Sequence, residues 1–200
     1  MALVTVIPGV FTTPGLPTLG IKGFTDTFTR PDANTLGSTE GMPSKPWATH
    51  GYGTNVTGIQ DNEGFAYPES TGHMLATVDA GASDGTFNVT MGAAPAAATV
   101  GPAFRATDLG NFYRFVNFQG VNYRLHKFVD TSLTLLGTAT VTPAPGDEIE
   151  IVLSGSSIRV SVNGVEHINV TDAHNEAATL HGFYNNTQGS TFRDVKFIPA

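Results

Sequence analysis

Residues 146–198 read GDEIEIVLSGSSIRVSVNGVEHINVTDAHNEAATLHGFYNNTQGSTFRDVKFI, and their side chains alternate in character. Ile149, Ile151 and Leu153 fall on one side, Glu148 and Glu150 on the other. Ile158, Val160 and Val162 keep the rhythm, with Arg159 and Ser161 opposite. A period of two marks strands with one buried face, because successive side chains of a strand point to opposite sides of its sheet. Asn163-Gly164 separates two such runs, and both residues accept the positive φ that a two-residue hairpin turn demands. Phe192, Val195, Phe197 and Ile198 close the stretch. The pattern predicts an antiparallel meander with one face in a core.

Working outward, the same rhythm recurs. Strands are expected over Phe24–Arg30, Trp47–Tyr52, His73–Asp79 and around Phe87, Val89 and Met91, with a hairpin across Asp61-Asn62-Glu63-Gly64. Two further pairs are expected over 103–118 and 121–141, turning at Leu109-Gly110 and after Asp130. Pro31 to Pro46 is broken by Gly37, Gly41 and Pro43 and reads as turns; Gly92 to Val100 reads as a loop. No helix and no fixed repeat is expected.

Two hundred residues suit one β-sandwich domain. A formal net charge of −7, with 14% charged residues, leaves no cluster of Lys and Arg for nucleic acid. It is also a poor surface for an anionic membrane. The absence of Cys excludes disulfides, thiolate metal sites and a Cys nucleophile. Met1 to Gly20 holds no Lys or Arg and is broken by Pro8, Pro14 and Pro17, so a secretion signal is not expected. Residues 1–21 form an uncharged extended arm whose Val4, Ile7, Val10, Phe11, Leu16 and Leu19 are expected to dock on a partner subunit. Residues 22–200 are expected to form the sandwich.

Two parts of the chain also carry a family resemblance. One is Gly146 to Phe197, with its G-D-x-I-x-I, V-N-G and F-R-D-V-x-F segments. The other is the opening Phe24-Thr-Asp-Thr-Phe28-Thr-Arg-Pro-Asp32, followed by Leu36-Gly37 and Trp47. Together they resemble the concanavalin A-like lectin/glucanase domains, the laminin-G-like jelly rolls, of the kind found in tailed-phage capsid decoration and minor tail proteins. The likeness spans residues 22–198. It implies an all-β, antiparallel sandwich with an extended N-terminal arm. In function it implies a structural virion protein assembled in a bacterial cytoplasm. Its partners would be major capsid or tail subunits, further copies of itself, and host-surface glycans. The alternative it carries is a carbohydrate-binding adhesion module, on a virion or secreted, since this architecture hosts many functions.

Jelly-roll glucanases carry a Glu-x-Asp-x-x-Glu motif on one strand. The nearest match, Asp147-Glu148-Ile149-Glu150-Ile151-Val152-Leu153, lacks the last carboxylate. A pair of carboxyls must flank a glycosidic bond, so no catalytic residue is assigned and a non-enzymatic protein is expected. No nucleophile elbow, phosphate loop or zinc motif is present. Calcium, bound in many domains of this fold, has Asp79, Asp84, Asp172 and Asp194 as candidate ligands, although they form no dense cluster; no other cofactor is expected. For a glycan, the candidates are Trp47, Tyr113 with Arg114, and Tyr123 with Arg124 and His126.

Overall fold

The computed structural model describes residues 22–51, 53–69 and 72–200. The docking expectation for Val4, Ile7, Val10, Phe11, Leu16 and Leu19 therefore lies outside the described residues. The described chain holds fifteen strands. They are β1 (Phe24–Asp26), β2 (Ala48–Gly51), β3 (Asn55–Gln60), β4 (Glu63–Pro68), β5 (Met74–Asp79), β6 (Gly85–Met91), β7 (Thr99–Asp108), β8 (Asn111–Phe118), β9 (Asn122–Val129), β10 (Ser132–Ala139), β11 (Glu148–Ser154), β12 (Ser157–Val162), β13 (Val165–Thr171), β14 (Leu180–Asn185) and β15 (Phe192–Pro199). An eight-stranded antiparallel sheet runs β13-β12-β11-β6-β15-β4-β3, with β1 also on β15; a seven-stranded one runs β10-β9-β8-β7-β14-β5-β2. The two pack as a concanavalin A-like sandwich.

The local chemistry explains the elements. Asn163 and Gly164 have φ of 51° and 77°, so the β12–β13 connection is the tight turn the Asn-Gly pair specifies. Asp61 and Asn62 do the same between β3 and β4, with φ of 54° and 60°. On β11, Ile149, Ile151 and Leu153 are buried while Glu148 and Glu150 face solvent, as the alternation requires. The core between the sheets is filled by Phe87, Ile151, Val160 and Phe197 from one side and Phe104, Phe115, Leu125 and Phe183 from the other.

The strand expected over Phe24–Arg30 ends at Asp26, where the chain turns to build a staple. Asp26 is fully buried. Its Oδ1 accepts from the Phe28 amide at 3.1 Å and from Arg30 Nη1 at 2.5 Å. Its Oδ2 accepts from Arg30 Nη2 at 3.0 Å and from Trp47 Nε1 at 2.7 Å. Trp47 itself packs on Phe24, Phe28 and Phe183. The opening motif is thus an architectural device: a carboxylate that satisfies four donors and ties β1, its following loop and the approach to β2 together.

Candidate functional site

Strands β8 and β9 place charge and rings on the outer face of the seven-stranded sheet. Tyr113, Phe115, Tyr123 and Leu125 point into the core, so the intervening Phe112, Arg114, Val116, Arg124, His126 and Phe128 point outward. Arg114 lies between Ala103 of β7 and His126 of β9 in the sheet register. Tyr184 of β14 and Leu75 of β5 continue the same face and join Phe112, Val116 and Phe128 in a second apolar cluster. The Arg114 guanidinium sits over the Phe128 and Tyr184 rings, 4.9 and 4.3 Å from their centroids. Arg124 lies over Phe118 at 3.8 Å. His73 stacks on Tyr184 at 5.5 Å.

One cleft of about 730 Å³ is lined by Thr49, His50 and Asn55 on one side and by Thr107 to Asn111 with Asp130 and Thr131 on the other. One wall draws on both sheets, His50 from β2 of the seven-stranded sheet and Asn55 from β3 of the eight-stranded one; the other is the end of the β7–β8 hairpin with the β9–β10 turn. Leu109, in the β7–β8 turn, packs on the Phe112–Phe128–Tyr184 cluster. In the cleft wall, His50 Nε2 and Asn55 Oδ1 are buried without a hydrogen-bond partner. Arg114 and Arg124 put two cations on this face. Burial, and then Arg114 and Arg124, push His126 down to about 4. Burial lowers Arg114 itself, against a hydrogen bond with Tyr184.

The structure divides the sequence candidates between two environments. Arg114, Arg124 and His126 share the outer face. Tyr113 and Tyr123 are buried in the core, and Trp47 is packed against it. The pairing of Tyr113 with Arg114, and of Tyr123 with Arg124, on one binding face is therefore corrected: neighbours along a strand point to opposite sides. Both tyrosines do structural work, donating to Asp172 Oδ1 at 2.6 Å and to Asp147 Oδ2 at 2.7 Å. Sequence reasoning missed His50, Asn55, His73, Phe128 and Tyr184 as site residues. They come from separate strands and loops, and the only sequence signal was that β8 is apolar on both of its faces.

The four calcium candidates do not converge. Asp79 accepts from Thr179 and the Gly81 amide, Asp84 pairs with Arg105, and Asp172 binds Lys127 and Tyr113. Among the described residues no group of three or more His, Asp or Glu side chains is placed to hold a metal. Asp194 lies on the outer face of the eight-stranded sheet. There it lines a depression of about 290 Å³ with Glu148, Glu150, Asn88 and Thr90. The register Glu148↔Thr90↔Asp194 sets two carboxylates on either side of β6. Burial raises the Asp194 carboxyl above its ordinary value.

No protein-family model matches the chain, and no curated protein does. Solved structures do match in fold. A prokaryotic β-1,3-1,4-glucanase (lichenase) from a mouse hindgut metagenome is 9% identical with a TM-score of 0.58, covering 90% of this chain and 100% of its own. A Bacillus licheniformis β-glucanase is 10% identical with a TM-score of 0.52, covering 90% and 99%. A Bacillus subtilis protein of unknown function with a galectin-like fold is 13% identical with a TM-score of 0.51, covering 77% and 90%. The fold is that of the concanavalin A-like lectins and glucanases, as the sequence resemblance implied.

These matches overturn one expectation. The chain was expected to be non-enzymatic, yet several solved structures that share its fold are glycoside hydrolases, so the fold gives that expectation no support. The reason lies in the test applied to the sequence. A motif on one strand cannot register carboxylates that different strands bring together, as β11 and β15 bring Glu148 and Asp194 around β6. Nothing in the matches points to a virion.

Proposed function

We propose that the chain is a carbohydrate-binding protein that holds a glycan along the outer face of the seven-stranded sheet. The observation that carries this reading is the cleft wall: His50 Nε2 and Asn55 Oδ1 are buried, lack partners and line a polar cleft of about 730 Å³. A buried polar atom left unpaired costs on the order of 1–3 kcal/mol, which a ligand hydroxyl recovers. Sugars present hydroxyl donors and acceptors around an apolar ring face. Through Leu109 the cleft adjoins the ring cluster of Phe112, Phe128 and Tyr184, on which His73 stacks as a half-buried ring. The Asn55 amide sits directly against Gly51, where a Cβ would lie 2.2 Å from Oδ1, so a side chain at position 51 would displace the Asn55 amide.

The test is retention of the full chain on a panel of neutral and acidic polysaccharides, with release of reducing ends read from the same samples. Retention by at least one polymer, weakened about tenfold in His50→Ala and Asn55→Ala, is expected. Melting temperatures of both variants establish that they fold. Retention that both substitutions leave unchanged would move the site elsewhere, and absence of retention by every polymer would remove the reading. Reducing ends released in proportion to protein would add hydrolysis to binding.

A further inference from the structure

Resting on that reading, we propose that the glycan is acidic: a uronate carboxylate or a sulfate ester seats against Arg114, with His126 and Arg124 beside it. Arg114 is only 5% exposed; among the described residues its Nε has no hydrogen-bond partner, and no carboxylate lies within ion-pair distance. Its surroundings are two aromatic rings and the Tyr184 hydroxyl. Across the strands it faces Ala103 and His126, neither of them an anion. A cation withdrawn from water without a counter-charge is strongly disfavoured, and ring contacts recover only part of the loss.

Among the described residues Arg105 is the other buried cation, and the comparison with it makes the omission specific. Arg105, fully buried, pairs with Asp84 at 2.8 Å. Arg30 pairs with Asp26, Lys127 with Asp172 and Arg193 with Glu63. The chain has 17 acidic residues against 10 basic ones, so carboxylates are not scarce. Residues 1–21, Tyr52, Ser70 and Thr71, the positions outside the description, contain no Asp or Glu at all. The anion that Arg114 lacks is therefore one that a ligand brings. His126 sharpens the point: it is 3% exposed and its Nδ1 is also unpartnered.

Guanidinium suits this role because its planar fork meets a carboxylate or sulfate through two parallel hydrogen bonds. Asp108 and Asp130 line the cleft wall that carries Leu109, with Asp108 held by the Gly110 amide and the Asn111 side chain. A negative group is repelled by these carboxylates and attracted by the Arg114 guanidinium, which would orient the polymer.

The experiment compares the full chain and Arg114→Leu on polygalacturonate, dextran sulfate, dextran and a neutral mixed-linkage β-glucan, at 20 and at about 500 mM NaCl, concentrations chosen to straddle strong and weak screening. At least one acidic polymer should bind tenfold or more tightly than its neutral counterpart, and lose that margin both at high salt and in Arg114→Leu. Polygalacturonate alone would identify a uronate, dextran sulfate alone a sulfate ester. Arg114→Leu should melt at the wild-type temperature or above, so lost binding will not be lost folding. Neutral polymers bound as tightly as acidic ones, with no effect of Arg114→Leu, would overturn the acidic-ligand inference while leaving glycan binding intact. Binding of no polymer would sink both.

Discussion

Asp26 and Arg114 are both nearly devoid of solvent, and the protein treats them in opposite ways. Around Asp26 four donors converge from Phe28, Arg30 and Trp47. Around Arg114 there are rings, one hydroxyl and no carboxylate. The difference separates architecture from availability. A charge whose bonds are all made within the chain stabilises one fold and has nothing left to offer. A charge whose bonds are not made lowers stability and keeps its bonding capacity for something else. His181 shows a third arrangement. It is fully buried between Phe87 and Phe197, donates from Nε2 to the Ala82 carbonyl at 3.1 Å, and stays neutral.

The largest effect is expected at the satisfied site. Asp26→Ala leaves the Arg30 guanidinium and the Trp47 indole without their acceptor. Breaking such a network costs about 3–5 kcal/mol. Denaturant unfolding of the variant should show a loss of that size with an unchanged m-value. A loss below about 1 kcal/mol would mean that the staple is no more than a surface ion pair, and the contrast with Arg114 would collapse.

A smaller effect belongs to the neutral histidine. Burial, supported by Arg105 and opposed by the bond to Ala82 and by Asp79, lowers His181 to about 3. Its folded pKa is depressed, so the unfolded chain binds the proton more readily. Stability is full above the unfolded value near 6.5 and is lost as pH falls below it, by about 2 kcal/mol at pH 5 for one such group. Chemical denaturation of wild type and His181→Phe from pH 7.5 to 5 checks this: the wild-type slope should exceed that of the variant by nearly one proton between pH 6 and 5. Parallel profiles would show that the ring is protonated in the fold.

Much of this architecture is legible in the chain, and the site is not, for one physical reason. Alternation along β11, β12 and β13, and the turn at Asn163-Gly164, are local properties that single segments carry. The same alternation, applied to Tyr113-Arg114, sets the ring and the guanidinium on opposite faces of β8. It could not say which side of β8 was outer, because Phe112 and Val116 are as apolar as the inward Phe115. On the outer face Arg114, His73 and Leu109 cover the rings of Phe112, Phe128 and Tyr184, and a strand apolar on both sides is the mark such a face leaves. His50, Asn55, His73 and Tyr184 meet only through sheet order, which a single sequence does not display. The Asp26 staple lies between these cases: its residues carry the family resemblance in the sequence, but their chemistry depends on Trp47 packing on Phe28 and Phe183, which only the fold brings about.

The smallest expected change tests whether Arg114 can be turned into a second Asp26. His126 faces Arg114 directly across the β8–β9 ladder, and cross-strand partners of opposite charge stabilise by roughly 0.2–1 kcal/mol. His126→Glu brings a carboxylate to the guanidinium, with Arg124 on the same face of its own strand as a second attractive charge. It also removes a ring whose Nδ1 has no partner. Stability at pH 7 should therefore rise by up to about 1 kcal/mol, read as a higher denaturation midpoint at constant m-value. The same substitution should abolish the salt-sensitive retention of acidic polymers, because the internal carboxylate occupies the position an external anion would take. A variant that is less stable than wild type, or one that still distinguishes acidic from neutral polymers, would show that Arg114 is held in place by its rings alone and that its missing counter-charge has no bearing on what this face binds.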